Sequence, residues 1–309
     1  MGVETLAPQG RPARRPRWRR RFVGLAAAIG CLFAAVAAQE RPLPDLQPFL
    51  AQARTRLQTD NERQRSYIYV ETQRRMKLDE SGRARSESVK VVESYPALPG
   101  EDERWERVLE ENGRKKTAAE LARQDDERRK TAEGVARKVS SQTASDRTKA
   151  TRAYESDRRE ALARINDIFI VYDIRMLGRE RVDGHDTIAL ALDPKPKPRP
   201  ATREGKWMQY FKLRAWINES DYELVRLQVE AIRDANVGFG MLARMNTGTT
   251  MSFTRRWIND EVWLPARVDY TIRARVLMLK RFREGGRIDF SDYRKFTVDT
   301  ATTIAPPAQ

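Results

Sequence analysis

Cysteine and histidine are almost absent: the 309 residues hold one of each. A lone cysteine excludes an internal disulfide framework and any cysteine-based zinc cluster. A lone histidine excludes three-histidine metal centres and the HExxH zinc motif. Long apolar runs are also missing beyond the N-terminus, which argues against a polytopic membrane protein. No G-x-S-x-G elbow, Walker loop or dinucleotide fingerprint occurs. Mean hydropathy is low, at -0.72, yet six Trp, nine Tyr and ten Phe are present. That combination describes a folded chain with polar stretches, not a disordered one.

The first forty residues read as an export address. Seven arginines fall within residues 11–21, and residues 22–38, FVGLAAAIGCLFAAVAA, carry no charge. A basic segment, an apolar segment and small residues before Gln39 make a Sec-type signal peptide over residues 1–38. Cleavage falls before Ala38 or Gln39 and leaves a mature chain without cysteine. Two other readings stay open: an uncleaved membrane anchor at 22–38, and lipidation at Cys31 through Ala28-Ile29-Gly30-Cys31. The mature chain carries about nine more basic than acidic groups. That excess favours an anionic membrane surface or other envelope polyanions. Export makes nucleic acid a poor partner.

Residues 39–309 form one domain. Leu46, Phe49, Leu50, Ala53 and Leu57 recur at helical spacing. The period then changes to two in SYIYVETQRRMKL and in SVKVVESY, separated by a Gly-containing turn, which predicts a β-hairpin. Arg104–Glu111 is a third strand ending at the turn pair Asn112-Gly113. Residues 101–165 hold 32 charged side chains of 65, with the signs nearly balanced. Such a tract reads as a solvated helical insertion over about 114–165, interrupted near Gly134 and Ser140–Ser145. From Asp167 onward the chain is strand-rich. Runs at Ile168–Leu177, Asp186–Leu192, Lys206–Ile217, Glu223–Ala231, Thr249–Ile258, Val262–Leu279 and Ile288–Thr297 are joined by short turns, which implies antiparallel pairing. The absence of βαβ alternation argues against a Rossmann or TIM-type sheet.

Several segments resemble the LolA/LolB-like superfamily, the outer-membrane lipoprotein-sorting proteins. They are Gly178-Arg179-Glu180-Arg181-Val182-Asp183-Gly184, Leu190-Ala191-Leu192-Asp193-Pro194, Ala215-Trp216-Ile217-Asn218, Leu224-Val225-Arg226 and Ile288-Asp289-Phe290. The likeness covers about 165–300 well and 66–95 loosely. It implies a mainly β (α+β) fold: a strongly curved antiparallel half-barrel with helices over its concave face, binding acyl chains. The charged tract is an addition to that pattern.

The stretch 236–251, charged only at Arg244, holds three Gly and three Met and interrupts the strand series. Methionine adapts to varied apolar partners, so Phe239, Met241, Leu242 and Met245 are candidate acyl-chain contacts. Leu277 and Leu279, in a run denser in apolar residues than one-sided alternation needs, are candidates for the cavity wall. His185 beside Asp186 reads as a turn residue, with no nucleophile motif to accompany it. No catalytic residue, metal or cofactor is expected. The leading expectation is a non-enzymatic periplasmic carrier or sensor that binds lipid or an acylated lipoprotein. The alternatives are an envelope protein that engages partners through its charged tract, and a carboxylate-based hydrolase.

Overall fold

The structure, a computed structural model, describes residues 41–59, 64–98, 103–237, 243–276 and 280–296. The chain divides into two compact units, Met1–Pro42 and Leu43–Gln309, and the described elements lie in the second. The signal-peptide segment falls outside the described residues. No described helix is long and apolar enough to cross a membrane.

Helix α1 (Leu46–Thr59) leads into a hairpin of β1 (Tyr67–Leu78) and β2 (Ala84–Tyr95), then β3 (Trp105–Glu111) and the short β4 (Arg114–Lys115). Two helices follow, α2 (Ala118–Ser140) and α3 (Ala144–Val171). Strands β5 (Tyr172–Val182) and β6 (His185–Pro194) precede a six-residue helix, α4 (Arg203–Met208). The remainder is β7 (Phe211–Asn218), β8 (Leu224–Ala231), β9 (Ala235–Val237), β10 (Ala243–Met245), β11 (Thr250–Ile258), β12 (Val262–Val276) and β13 (Lys280–Lys295). The strands join in one antiparallel sheet, in the order β4-β3-β2-β1-β13-β12-β11-β8-β7-β6-β5, with β10 and β9 attached beside β12.

The half-barrel expectation is corrected here. The chain has mixed helix and strand content, and its large antiparallel sheet is neither strongly curved nor closed. Its terminal strands, β4 and β5, lie at opposite ends of the strand order. A half-barrel wrapped around helices needs a continuous apolar inner face. Here β1 and β2 carry Arg74 and Glu87 on one face and Arg75 and Lys90 on the other, as their register with each other and with β13 shows. Helix α2 is tied to β3 near one end of the sheet, whereas α1 and α3 cover the β5–β8 end. There Phe49, Leu50 and Ala53 of α1 and Val171 of α3 pack on Ile188, Leu190, Leu192, Ala215 and Ile217. Strand residues alternate between faces, so these side chains define the helix-side face. The opposite face holds a smaller core of Val182, Ala189, Trp216, Val225 and Trp263. A third cluster joins Tyr67 and Tyr69 to Val262 and Leu264.

The turn chemistry is as expected. Asn112 and Gly113, Asp183 and Gly184, and Asn259 and Asp260 all have positive φ, the conformation that a tight hairpin requires. The charged tract is helical, broken at residues 141–143 and continuous through Gly134. Capping boxes open both helices, at Thr117 with Glu120 and at Thr143 with Asp146. The first turns of α2 are fastened to the β3 strand. Gln124 accepts from the Val108 N–H (2.8 Å) and donates to the Val108 carbonyl (3.0 Å). Its side-chain amide thus takes the place of a neighbouring strand. Arg107 forks onto Asp125 (2.7 and 2.8 Å), and the Arg128 guanidinium lies 4.0 Å from the Tyr95 ring centre.

Two element boundaries differ from expectation. Ile168–Val171 ends α3 instead of starting a strand, because Ile168, Phe169 and Val171 pack down onto the helix-side core. Residues 206–208 belong to α4, for a reason that lies 35 residues earlier.

Candidate ligand groove

Asp167, fully buried near the end of α3, organises this region. Its carboxylate accepts from the backbone N–H of Ala201 (2.8 Å), the N–H of Thr202 (2.8 Å) and the Thr202 hydroxyl (2.5 Å). Thr202 in turn caps α4, its Oγ1 accepting from the Gly205 N–H at 2.9 Å. Charge-assisted bonds of this kind are the strong ones. Burial alone would raise the Asp167 carboxyl, but the hydroxyl and the two amides outweigh it and hold it below its ordinary range. At the other end of α4, the buried Tyr172 hydroxyl donates to the Met208 carbonyl at 2.8 Å. Burial pushes that phenol upward. The short helix is therefore fixed at both ends, although six residues have little helical stability of their own.

Fixing α4 holds Trp207 and Met208 beside Phe211 and Leu213 of β7 and Val229 of β8. With Tyr172 they line an open groove of about 540 Å³, with Arg203 and Glu204 at its rim. Its floor is the helix-side face, since Leu213 pairs with both Leu192 and Val229. A second hollow of about 440 Å³ adjoins it and shares Trp207. That hollow is polar, lined by Lys206, Gln209, Tyr210, Asp234, Asn236 and Arg244. Arg244 stands 3.3 Å from Asp234, and Asp234 is held below its usual range chiefly by the Thr247 N–H, which donates to it at 2.8 Å.

A larger depression, of about 870 Å³, lies mainly against the other face. Its lining mixes apolar side chains, among them Met76, Leu78 and Met251, with two ion pairs matched across strands, Arg175 with Asp193 (2.8 Å) and Lys212 with Glu230 (2.9 Å).

Of the residues expected at the site, Phe239, Met241, Leu242, Leu277 and Leu279 lie outside the described residues. Met245 is half-buried in β10, paired with Ala274 and Ala235, and lines neither the groove nor the two depressions. The groove residues Trp207, Met208, Phe211, Leu213 and Val229 were hidden within two expected strands. The cap pair Thr202 and Gly205, just after the proline-rich stretch, is the signal that marks them. His185 pairs with Val182 across its turn, its ring edge-to-face with Trp263 at 4.7 Å. Among the described residues, no group of His, Cys, Asp and Glu side chains is arranged to hold a metal ion.

Replacing Asp167 by Asn is expected to cost about 2 kcal/mol at neutral pH, since buried donors lose their acceptor. The folded-state value lies below the unfolded one. The carboxylate's contribution is therefore complete above the unfolded value and is lost as pH falls through the folded one. Urea unfolding at several pH values checks this. The gap between wild type and Asp167→Asn should be constant above about pH 5 and shrink below about pH 4. A gap that does not vary with pH would mean that the carboxylate charge is not what holds α4.

The fold and groove together describe a β-rich chain with an open sheet, two helices over its β5–β8 end and an apolar groove beside them. No family model matches the chain, and no curated protein matches it. Solved structures give a weak, partial match to the LolA/LolB lipoprotein-sorting superfamily. A LolA superfamily protein from Nitrosomonas europaea is 12% identical, with a TM-score of 0.28, over 84% of this chain and 98% of that one. A putative outer membrane lipoprotein-sorting protein domain from Vibrio parahaemolyticus is 11% identical, with a TM-score of 0.32, over 81% and 92%. A DUF1329 family protein from Desulfovibrio piger is 13% identical, with a TM-score of 0.28, over 85% and 98%.

Proposed function

We propose that the protein is a non-catalytic, exported envelope protein that binds an amphiphile, a lipid or the acyl chains of a lipoprotein, as a carrier or sensor. The supporting observation is the pairing of an apolar groove with a polar hollow across one side chain, Trp207. An acyl chain fits the first and a polar head the second. The groove volume falls within the span of about 300–1,000 Å³ common to small-ligand sites. Each methylene buried there contributes about 0.8 kcal/mol. In this reading residues 1–38 are an export signal and the mature domain, 39–309, works in the periplasm. Phe239, Met241, Leu242, Met245, Leu277 and Leu279 form a second proposed apolar contact.

The test is to purify the protein from the periplasm of a Gram-negative host without detergent, then record native mass spectra and extract lipid. Wild type should carry a reproducible lipid mass. Val229→Asp, which sets a charge in the groove floor, should lose at least nine-tenths of it while keeping its circular dichroism. Lipid content unchanged in that folded variant would sink the groove reading. Met241→Asp, compared alongside, reports on the second contact.

A further inference from the structure

The helical pair has a feature that the groove does not explain. From residue 136 to residue 160 every side chain is exposed except the half-buried Gln142. The first half of α2 is tied to β3 and the last turns of α3 to the helix-side core, so the stretch between them is a solvated arm. Around its bend, residues 136–154 carry five basic side chains, Arg137, Lys138, Arg147, Lys149 and Arg152, against one acid, Asp146. Asp146 is engaged in the Thr143 capping box. Only Arg137 of the five has an acidic partner among the described residues, Glu133 at 3.8 Å.

Helix electrostatics account for part of this. Arg137 and Lys138 stand in the last turn of α2, where the helix dipole favours cations. Arg147, Lys149 and Arg152 stand in the first turns of α3, where it does not. Arg147 and Lys149 also lack an acid three or four residues further on that would make a stabilising pair along the helix. Two apolar groups flank the cations with no core to join: Val139 is 51% exposed and Tyr154 is 62% exposed. Elsewhere in the helical pair the signs are mixed, with Glu155, Asp157 and Glu160 beside Arg158 and Arg159.

We infer that the bend of the α2–α3 arm is a docking point for an anionic phospholipid surface. Basic side chains near such a surface are attracted individually and additively. Tyrosine is suited to the headgroup layer, where one end is apolar and the other wet. The inference stands apart from the groove reading: the arm places the protein on the bilayer, whatever the groove holds.

Vesicle flotation tests it. The purified protein is mixed with phosphatidylcholine vesicles with or without phosphatidylglycerol, at low and moderate salt. Binding should require phosphatidylglycerol and weaken steeply with salt. A variant with Arg137, Lys138, Arg147, Lys149 and Arg152 all changed to Gln should bind at least tenfold more weakly, with unchanged thermal unfolding. A control removes equal charge elsewhere, with Arg56, Arg85, Lys197, Arg199 and Arg275 changed to Gln, and should bind within about threefold of wild type. Val229→Asp should float as wild type does, which separates this result from a failure of the groove. No flotation of wild type, or equal losses in the two charge variants, overturns the inference.

Discussion

Replacing Trp263 by alanine is expected to destabilise the protein by about 3–5 kcal/mol, the range for removing a large aromatic from a close-packed core. Trp263 is fully buried. Its indole N–H donates to Asp221 Oδ2 at 2.9 Å. Its ring lies 4.7 Å from the His185 ring centre and 5.5 Å from that of Trp257. The surrounding Val182, Ala189, Trp216 and Val225 come from four different strands. Together with β12, which carries Trp263, those strands extend from the β5 edge toward the middle of the sheet. Removing the indole therefore opens a void that no single strand can close by shifting. It also leaves Asp221 without that donor, in the turn that joins β7 to β8. Trp263→Phe keeps most of the packing and loses the hydrogen bond, so it should cost about half as much. Urea unfolding of the two variants provides the measurement. A loss below about 1 kcal/mol for the alanine variant would show that this side of the sheet does not depend on the cluster.

Alanine at Gly205 is expected to be nearly as damaging, about 3 kcal/mol, at the upper end of overpacking costs. The added Cβ would stand 2.2 Å from Asp167 Oδ2 and 2.6 Å from the Pro200 Cβ. Neither neighbour is free to retreat. The carboxylate is held by three donors, and the proline belongs to the segment that those donors fix. Glycine is needed here for space alone, since alanine would otherwise favour the helix by about 1 kcal/mol. The result should be displacement of α4, with two readouts: a lower unfolding midpoint and a change in Trp207 fluorescence. Gly134→Ala is the contrasting control, because a Cβ there meets nothing within 4 Å. It should be neutral or slightly stabilising. Equal effects at the two positions would refute the steric account.

The contrast between these glycines shows how far the residues alone could be read. Turns such as Asn112-Gly113 and Asp183-Gly184 were legible because their geometry is dictated within four residues. The charged tract was legible as helix for a similar reason: its capping residues and its lack of β-branched clusters are local signals. Helix α4 was not, because what fixes it is a carboxylate 35 residues away in another helix. Ile168–Val171 misled because a short apolar run looks the same as a buried strand or as the last turn of a helix against a core. The half-barrel came from a resemblance, and only the register of β1 and β2 shows charges on both of their faces. The groove was missed because its walls come from a helix, two strands and the start of a third, each unremarkable by itself. Methionine and glycine content pointed instead to 239–245, most of which lies outside the described residues.

The strand order has one more consequence, for the time course of folding. β1 is hydrogen-bonded to β13, with Tyr67 opposite Lys295, so a strand from the start of the domain meets one from its end. Closing so long a loop adds little to the equilibrium cost, which grows only with the logarithm of its length. It weighs heavily on rate, because contacts distant in sequence form late. During vectorial emergence β1 to β4 must wait, as a four-stranded ribbon with the β1 edge unpaired, until β13 has arrived. Ribbons of that kind invite strangers. Arg74, Arg75 and Lys77 lie along that waiting strand, where charge discourages the wrong partner before the right one exists.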